Sequence, residues 1–129
     1  MSKVTPAQRR RLFLELMRRF STAGATDHAD RWAWLEAAHV VGQQQFTLHW
    51  ASHTAMLRFA LRTRDLQEAA GQLLRLALVP LGHLLQRLPA GNTGRATVSV
   101  LAPMPVDARV SQLIRQAAAV AVPPSPPCF

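Results

Sequence analysis

The chain has 129 residues, 49% of them hydrophobic, which is enough for one domain with a compact core but a modest stability margin. Its net charge of +8 comes from 15 basic residues, all arginine except Lys3, and permits binding to nucleic acid, anionic lipid or an acidic protein without selecting among them. A single cysteine, Cys128, excludes an intrachain disulfide and fits a reducing cytoplasm.

Two helices are predicted in the first third of the chain. Thr5 is suited to cap the first, Pro6 to occupy its first position, and Gln8 to complete a capping box. Apolar residues then recur at helical spacing and predict one buried stripe, formed by Leu12, Phe13, Leu16, Met17 and Phe20. Asp27 is expected to cap a second helix that reaches about Gln43.

Two further helices follow after short connections. The third is predicted from about Thr47 to Arg62, and the fourth begins after a cap at Asp65 and is expected to stop at Pro80. Short links make consecutive helices antiparallel neighbours. The pattern predicts an all-α fold, an up-down bundle of four to five helices built from helical hairpins that loosely resemble tetratricopeptide units, with an irregular C-terminal segment.

The chain changes character after Pro80. L-G-H-L-L-Q-R-L is expected to add a short helical turn, and T-V-S-V-L and P-M-P to be extended. Asp107 is suited to cap a last short helix through about Val120. We therefore expect a single helical domain over residues 1–120 and a flexible proline-rich tail over 121–129.

Neither a signal peptide nor a membrane span is expected. Arginines occupy the N-terminal region where a signal peptide needs an apolar core. The longest nearly apolar run, Leu73 to Leu85, is interrupted by Arg75, Pro80 and His83 and is shorter than the ~20 residues that cross a bilayer. These features predict a cytoplasmic protein.

A carboxylate and three imidazoles are concentrated around the connection between helices two and three. Glu36 and His39 are three residues apart, and His49 and His53 four apart, so each pair shares a helix face. If the chain reverses near residue 44, the two pairs lie at matching heights, within about one turn of each other. Imidazole and carboxylate are the usual ligands of zinc and of related transition metals, so the four residues are candidate metal ligands, with zinc favoured.

A purely structural interpretation of the same residues stays open, because the sequence does not define how the helices are rotated. Histidine beside glutamate is also typical of a buried hydrogen-bonded pair that holds two helices in register. Gln43 and Gln72 are suited to hydrogen-bond the ligands, and Glu68 to supply another carboxylate. His83 is expected to be a packing residue and His28 a surface residue.

The segment G-N-T-G-R also has two interpretations. Backbone amides of a glycine-rich turn beside Arg95 can hold an anion, although no phosphate-loop pattern surrounds them. The same residues are typical of a sharp turn, because Gly91, Asn92 and Gly94 tolerate left-handed backbone conformations. Such a turn would lay the C-terminal segment back over the bundle.

Several of these motifs together resemble a family of small bacterial proteins known only as a domain of unknown function. The similar segments are L-E-A-A-H-V-V-G-Q, H-W-A-S-H-T-A-M-L, R-D…G-Q-L-L-R, G-N-T-G and P-M-P, and the resemblance covers about residues 28–110. The resemblance implies that Glu36, His39, His49, His53 and the G-N-T-G loop belong to a recurring pattern, and it implies no activity. The chain departs from the pattern in its proline-rich tail and at Thr54, where the family pattern has tryptophan.

Two functional hypotheses follow. In the first, a small cytoplasmic protein binds a metal through the glutamate and the histidines, either as a structural or metal-handling site or, with three ligands and an open position, as a metalloenzyme. No separate nucleophile and base are evident, so enzymatic activity stays open. In the second, the histidines are structural and the arginine-rich surface binds an acidic protein or nucleic acid. Oligomeric state does not follow from the sequence.

Overall fold

Five α-helices make up most of the residues that the computed structural model describes, which are 3–24, 27–85, 92–96 and 105–123. In chain order they are α1 (Pro6–Thr22), α2 (His28–Gly42), α3 (Phe46–Arg62), α4 (Leu66–Leu84) and α5 (Ala108–Ala121). No strand occurs within the described ranges. The predicted all-α fold is confirmed.

The predicted caps explain where the helices begin. The Thr5 hydroxyl accepts from the amide of Gln8 at 3.1 Å, and the Gln8 side chain accepts from the amide of Thr5 at 2.8 Å, so the capping box is present. Asp27, Asp65 and Asp107 each accept an amide hydrogen bond from the first turn of α2, α4 and α5. These bonds satisfy amides that have no partner within the helix.

The helices pack in adjacent pairs. α1 contacts α2, α2 contacts α3, and α3 contacts α4, whereas α5 returns to lie against α1 and α2. An ion pair between Arg109 and Asp30 links α5 to α2. Two apolar clusters form the core. One contains Leu12, Phe13, Leu16, Ala37, Ala38, Val41, Leu48, Val110 and Ala117, and the other Phe20, Trp32, Leu35, Met56, Phe59, Ala60 and Ala69.

The expected stop of α4 at Pro80 is wrong, because the helix continues without interruption to Leu84. Proline removes the hydrogen bond to the carbonyl four residues earlier, which belongs to Leu76. Pro80 lies on the exposed side of α4. Packed helices curve so that their convex side faces solvent, and the backbone hydrogen bonds on that side are longer and weaker. The loss of one of these bonds is therefore tolerated best on the solvent side. The segment after Pro80 is therefore a continuation of α4 as far as Leu84, not a separate helical turn.

Some sequence-based expectations fall outside the described residues. These are the extended segment T-V-S-V-L, most of P-M-P, and the end of the tail with Cys128. None of the helices in the described part of the chain has both the length and the apolar character needed to cross a bilayer.

Candidate metal centre

Three histidines meet in the interior between α2 and α3, and we refer to His39, His49 and His53 as the histidine cluster. They are 3%, 7% and 2% exposed. The ring centroid of His39 lies 5.0 Å from that of His49 and 4.7 Å from that of His53. One ring nitrogen from each residue lies within 4.8 Å of the other two, so the group can hold a metal ion. Four-residue spacing on α3 places two of the rings on one face, opposite the third on α2.

His53 is oriented by the side-chain amide of Gln72 on α4. The Gln72 Nε2 group donates to Glu68 Oε1 at 2.8 Å and to the Gly94 carbonyl at 2.9 Å, and both of these atoms are acceptors. Gln72 Oε1 therefore faces His53 Nδ1, at 2.7 Å, and accepts its proton. His53 is neutral with its proton on Nδ1, and its Nε2 lone pair is directed toward the cluster.

His39 is oriented by the backbone of the loop that follows α4. Its Nδ1 donates to the Asn92 carbonyl at 2.8 Å, which leaves Nε2 as the nitrogen available to a ligand. The Asn92 side chain in turn accepts from the amide of Gly94 at 2.9 Å. Gly94 has a φ of +82°, and a Cβ at this position would lie 2.8 Å from the His39 ring. Glycine is required here both for the left-handed conformation and for the close approach.

His49 connects the buried cluster to a fourth histidine nearer the surface. Its Nε2 lies 3.1 Å from Nε2 of His53, and its Nδ1 lies 2.9 Å from Nε2 of His83. Because His53 Nε2 carries no proton, two nitrogens this close require a proton or a cation between them. If a proton lies between the two Nε2 atoms, it belongs to His49, and His49 Nδ1 then accepts a hydrogen bond from His83. If a metal ion lies between them, His49 carries its proton on Nδ1 and donates it to His83.

Burial keeps the cluster uncharged near neutral pH. Desolvation is the main cause in each case: it lowers the pKa of His49 to about 3 and of His53 to about 4, and it lowers the pKa of His39 well below its usual value. Neighbouring imidazoles lower the pKa values of His39 and His49 further, because two positive rings cannot lie so close together. Neutral imidazole is the form that binds metals.

Glu36 lies outside this group of converging nitrogens. Its carboxylate accepts from Arg95 Nη1 at 3.3 Å, and Arg95 Nε also pairs with Glu68 Oε1 at 3.1 Å. The Arg95 guanidinium lies 3.8 Å from the centroid of a Trp32 ring. A three-residue step along a helix rotates the side chain by about 60°, so Glu36 and His39 share a broad face of α2 but contact different neighbours. Desolvation raises the pKa of Glu36, and Arg95 opposes that effect.

The other polar residues named from the sequence have different positions. Glu68 is buried, where it accepts from Gln72 and from the Ala96 amide at 2.9 Å. Gln43 is buried at the C-cap of α2. His28 is exposed, as expected. Gln72, by contrast, hydrogen-bonds His53 of the histidine cluster.

The described part of the G-N-T-G-R segment is a turn that closes over the cluster. The amides of Gly94 and Ala96 are bonded to side chains of the protein, and the Arg95 guanidinium is paired with two carboxylates. These groups are therefore engaged internally, which favours the turn interpretation over an anion site.

Sequence reasoning missed His83 and Arg95 as neighbours of the site. His83 was separated from the cluster by the assumed stop at Pro80. Its spacing of eleven residues from Gln72 is three helical turns, which would have placed both on one face of an unbroken α4. No comparable signal marks Arg95, since its pairing with Glu36 and Glu68 depends on a loop that returns over the bundle.

Comparison with known proteins identifies the family but no function. The model of the family described as "Protein of unknown function (DUF3703)" matches residues 7–114. The chain belongs to the DUF3703 family. The matched range contains all of the histidine cluster, His83 and the turn over the cluster. No curated protein and no solved structure gives a significant match to this DUF3703 chain.

We expect Gly94→Ala to destabilise the DUF3703 fold by about 2 kcal/mol or more, because alanine is strained at positive φ and its Cβ would collide with the His39 ring. Thr93→Ala is the control in the same turn. It removes only a 3.4 Å contact from the Arg95 amide and should change the free energy of unfolding by less than about 1 kcal/mol. Urea unfolding of both variants measures the difference. Equal effects would contradict the close packing of Gly94 on His39.

Acid should destabilise the metal-free protein below about pH 6.5. The unfolded chain binds protons at its histidines near pH 6.5, whereas His53 in the folded state does so only near pH 4. The free energy of unfolding should therefore be constant above about pH 6.5 and decrease as the pH falls from there toward about 4. The decrease should be up to about 1.4 kcal/mol per pH unit for each fully buried histidine.

Urea unfolding in the presence of a chelator, between pH 6.5 and about 5.5, measures this slope where carboxylates of ordinary pKa are still mostly ionised. His53→Asn retains a donor toward Gln72 but does not titrate, so its slope should be smaller. The matched control is His28→Ala, at an exposed histidine, which should keep the wild-type slope. A wild-type slope near zero would contradict the low histidine pKa values.

Proposed function

We propose that this DUF3703 protein binds a divalent transition metal ion, zinc in preference, on the histidine cluster. The ligands would be the Nε2 atoms of His39, His49 and His53. Its role would be structural or in metal handling. The histidine cluster supplies the donor type that zinc, copper, nickel and iron share, and no thiolate is among the described neighbours.

The observation that carries the proposal is the hydrogen bonding of the second nitrogen of each ring. Each Nδ1 faces a fixed partner that can accept its proton: a backbone carbonyl, a glutamine oxygen or another imidazole. Metal-binding histidines almost always have such a partner, because it fixes the ring orientation and leaves the other nitrogen unprotonated.

The distances are also compatible with a tetrahedral ion. Zinc–nitrogen bonds of about 2.05 Å imply nitrogen separations of about 3.3 Å. His49 Nε2 and His53 Nε2 are already 3.1 Å apart, and one ring nitrogen of each of the three histidines lies within 4.8 Å of the other two. Movement of the His39 ring by about 1.5 Å or less would complete the geometry. Since the imidazoles are neutral near pH 7, protons do not compete with the metal.

Glu36 was the fourth candidate ligand, and its pairing with Arg95 supports a three-histidine site instead. Three protein ligands leave a fourth position for water or another small ligand. That arrangement is also the one used by catalytic zinc, so a metalloenzyme is a variant of the proposal. No reaction is assigned, because no nucleophile and base pair accompanies the cluster among the described residues.

Elemental analysis tests the proposal. Protein purified without a metal-affinity tag, then incubated with zinc and desalted, should retain about one ion per chain, and His39→Ala and His49→Ala should lose it. His28→Ala is the matched control and should retain the ion. Zinc should also raise the unfolding free energy of the wild type, by about 2.7 kcal/mol at 100 times its Kd, and have no such effect on the two cluster variants.

Circular dichroism establishes that the variants are folded before their metal content is compared. Metal that is substoichiometric in the wild type, or unchanged in both cluster variants, would overturn the proposal. The zinc-dependent change in unfolding free energy is an independent measurement, because it requires preferential binding to the folded state, and binding to the unfolded chain would reduce it.

A second hypothesis concerns the arginine-rich surface and is independent of the histidines. Besides Arg18, which pairs with Glu15, five exposed arginines lie on α1, on α3 and in the turn after α3: Arg10, Arg11, Arg58, Arg62 and Arg64. They are available to phosphates or to an acidic protein.

If this surface binds nucleic acid, affinity for a generic duplex should fall steeply with salt, with a logarithmic slope of about 0.9 for each phosphate contact. Fluorescence anisotropy at several salt concentrations measures the slope, and His49→Ala should bind like the wild type. Absent or salt-insensitive binding to duplex and single strand alike would remove the nucleic-acid version.

A further inference from the structure

His83 lies beside the histidine cluster without being one of its three members. It is half-buried, whereas the members of the cluster are buried. Its Nε2 lies 2.9 Å from Nδ1 of His49, and Nε2 of His49 lies 3.1 Å from Nε2 of His53. The ring of Phe46 contacts His83 edge to face, with 5.4 Å between the centroids. Imidazole nitrogens therefore form a continuous row from the C-terminal end of α4 to the interior of the cluster.

The turn at residues 92–96 covers a different side of the cluster. Gly94 packs on the ring of His39, so closely that a Cβ would collide with it. Gly71 of α4 approaches Ala96 of the turn closely enough that a Cβ would also collide there. These two contacts leave no room for an ion to pass between the turn and the helices that it covers.

Charge also distinguishes the two sides. Desolvation is the main cause of the low pKa values of His39 and His53, and the positive charge of Arg75 lowers both pKa values further. The pKa of His49 is lowered by desolvation and by neighbouring imidazoles, and the pKa of His83 by desolvation. A cation that approaches along His83 therefore encounters neutral imidazoles, whereas Arg75 repels a cation on its own side of the cluster.

The two nitrogens of His49 face two different sets of partners. A neutral imidazole has one protonated nitrogen and one lone pair. In the metal-free protein the proton of His49 is on Nε2, toward His53, so its lone pair on Nδ1 faces His83. When His83 carries its own proton on Nδ1, two lone pairs face each other across this gap. A tetrahedral zinc ion separates two nitrogen ligands by about 3.3 Å, so an opening of about 0.4 Å would admit an ion.

We propose that His83 Nε2 and His49 Nδ1 form an outer metal site, through which the ion reaches the histidine cluster. This inference rests on the proposed function, because it requires the cluster to bind a metal. Two imidazoles leave two positions of a tetrahedral ion to water, so the outer site holds the ion weakly and exchanges it readily. The cluster offers a third imidazole, and the ion therefore passes inward.

The transfer exchanges one nitrogen of His49 for the other. In the outer state the ion is bound to His49 Nδ1, His83 Nε2 and two waters, and the proton of His49 is on Nε2. In the inner state the ion is bound to Nε2 of His39, His49 and His53 and to a fourth ligand, and His49 Nδ1 donates its proton to His83. The proton leaves Nε2 for water and is replaced from water at Nδ1, so the number of protons is unchanged.

A single chain should hold one ion at a time. His49 contributes to both sites, and as a neutral imidazole it has only one lone pair. The outer site is therefore a place of passage and does not add to the metal content at equilibrium.

The rates of zinc loading and release test the outer site. His83→Gln removes the imidazole but keeps an oxygen near the position of Nε2, which can still accept from His49 Nδ1 as Gln72 accepts from His53. We expect H83Q to keep a Kd for zinc within about threefold of the wild type and to load and release zinc at least about 10-fold more slowly. Stopped-flow mixing with zinc measures loading, and excess chelator, at concentrations that no longer affect the rate, measures release.

Two further variants separate passage from hydrogen bonding. His83→Ala also removes the acceptor for His49 Nδ1, so it should slow loading and in addition weaken zinc binding by about 10–100-fold. His28→Gln makes the same change as H83Q at an exposed histidine and should keep both wild-type rates. Circular dichroism establishes that all three variants are folded.

Wild-type rates of loading and release in H83Q, or wild-type loading in H83A, would overturn the outer site and leave the proposed function standing. A loss of affinity in H83Q that accounts for its slower loading would also overturn the outer site, because His83 would then stabilise the bound ion and not its passage. A wild type that binds no zinc would overturn the outer site and the proposed function together.

Discussion

The polar interior depends on the orientation of one buried amide, the side chain of Gln72. Its nitrogen donates to a carboxylate and to a loop carbonyl, so its oxygen must face His53. A reversed amide would bring oxygen against two acceptors and leave buried groups unsatisfied, at a cost of about 1–3 kcal/mol for each group. The three bonds connect α3, α4 and the turn at Gly94, and they determine which nitrogen of His53 is available to a ligand. The orientation of the His53 ring follows from this arrangement, and the same turn orients the His39 ring through the Asn92 carbonyl.

The turn at residues 92–96 places Arg95 between two carboxylates and packs against the cluster. Arg95 binds the carboxylates of Glu36 and Glu68, and Gly94 lies directly against the His39 ring. The described ligand atoms of the cluster are therefore neutral imidazoles alone. The charge of a metal bound there would be balanced either by groups that surround the three histidines or by a fourth ligand. The identity of that fourth ligand would therefore decide the net charge of the site.

α4 has two faces of different character. Its inner face supplies Gln72 and His83 to the surroundings of the cluster, and its outer face carries exposed leucines, among them Leu73 and Leu84. Both faces depend on the helix continuing through Pro80, because His83 and Leu84 lie beyond it. The proline is tolerated since its missing hydrogen bond is on the solvent side, where a curved helix loses least.

The sequence by itself determined where the helices begin, their caps and the shared face of His49 and His53, because these depend on local spacing: capping bonds span three residues, and His49 and His53 are one turn apart. It proposed that His39 meets them, but that meeting depends on helix rotation, which only the tertiary structure decided. It also identified Gln72 as a polar neighbour of the site. The separation of Glu36 from the cluster, the inclusion of His83 and the role of Arg95 were decided only by the tertiary structure. Each depends on helix rotation or on a loop that returns across the bundle, and spacing along one helix carries no information about the neighbour that a side chain will meet.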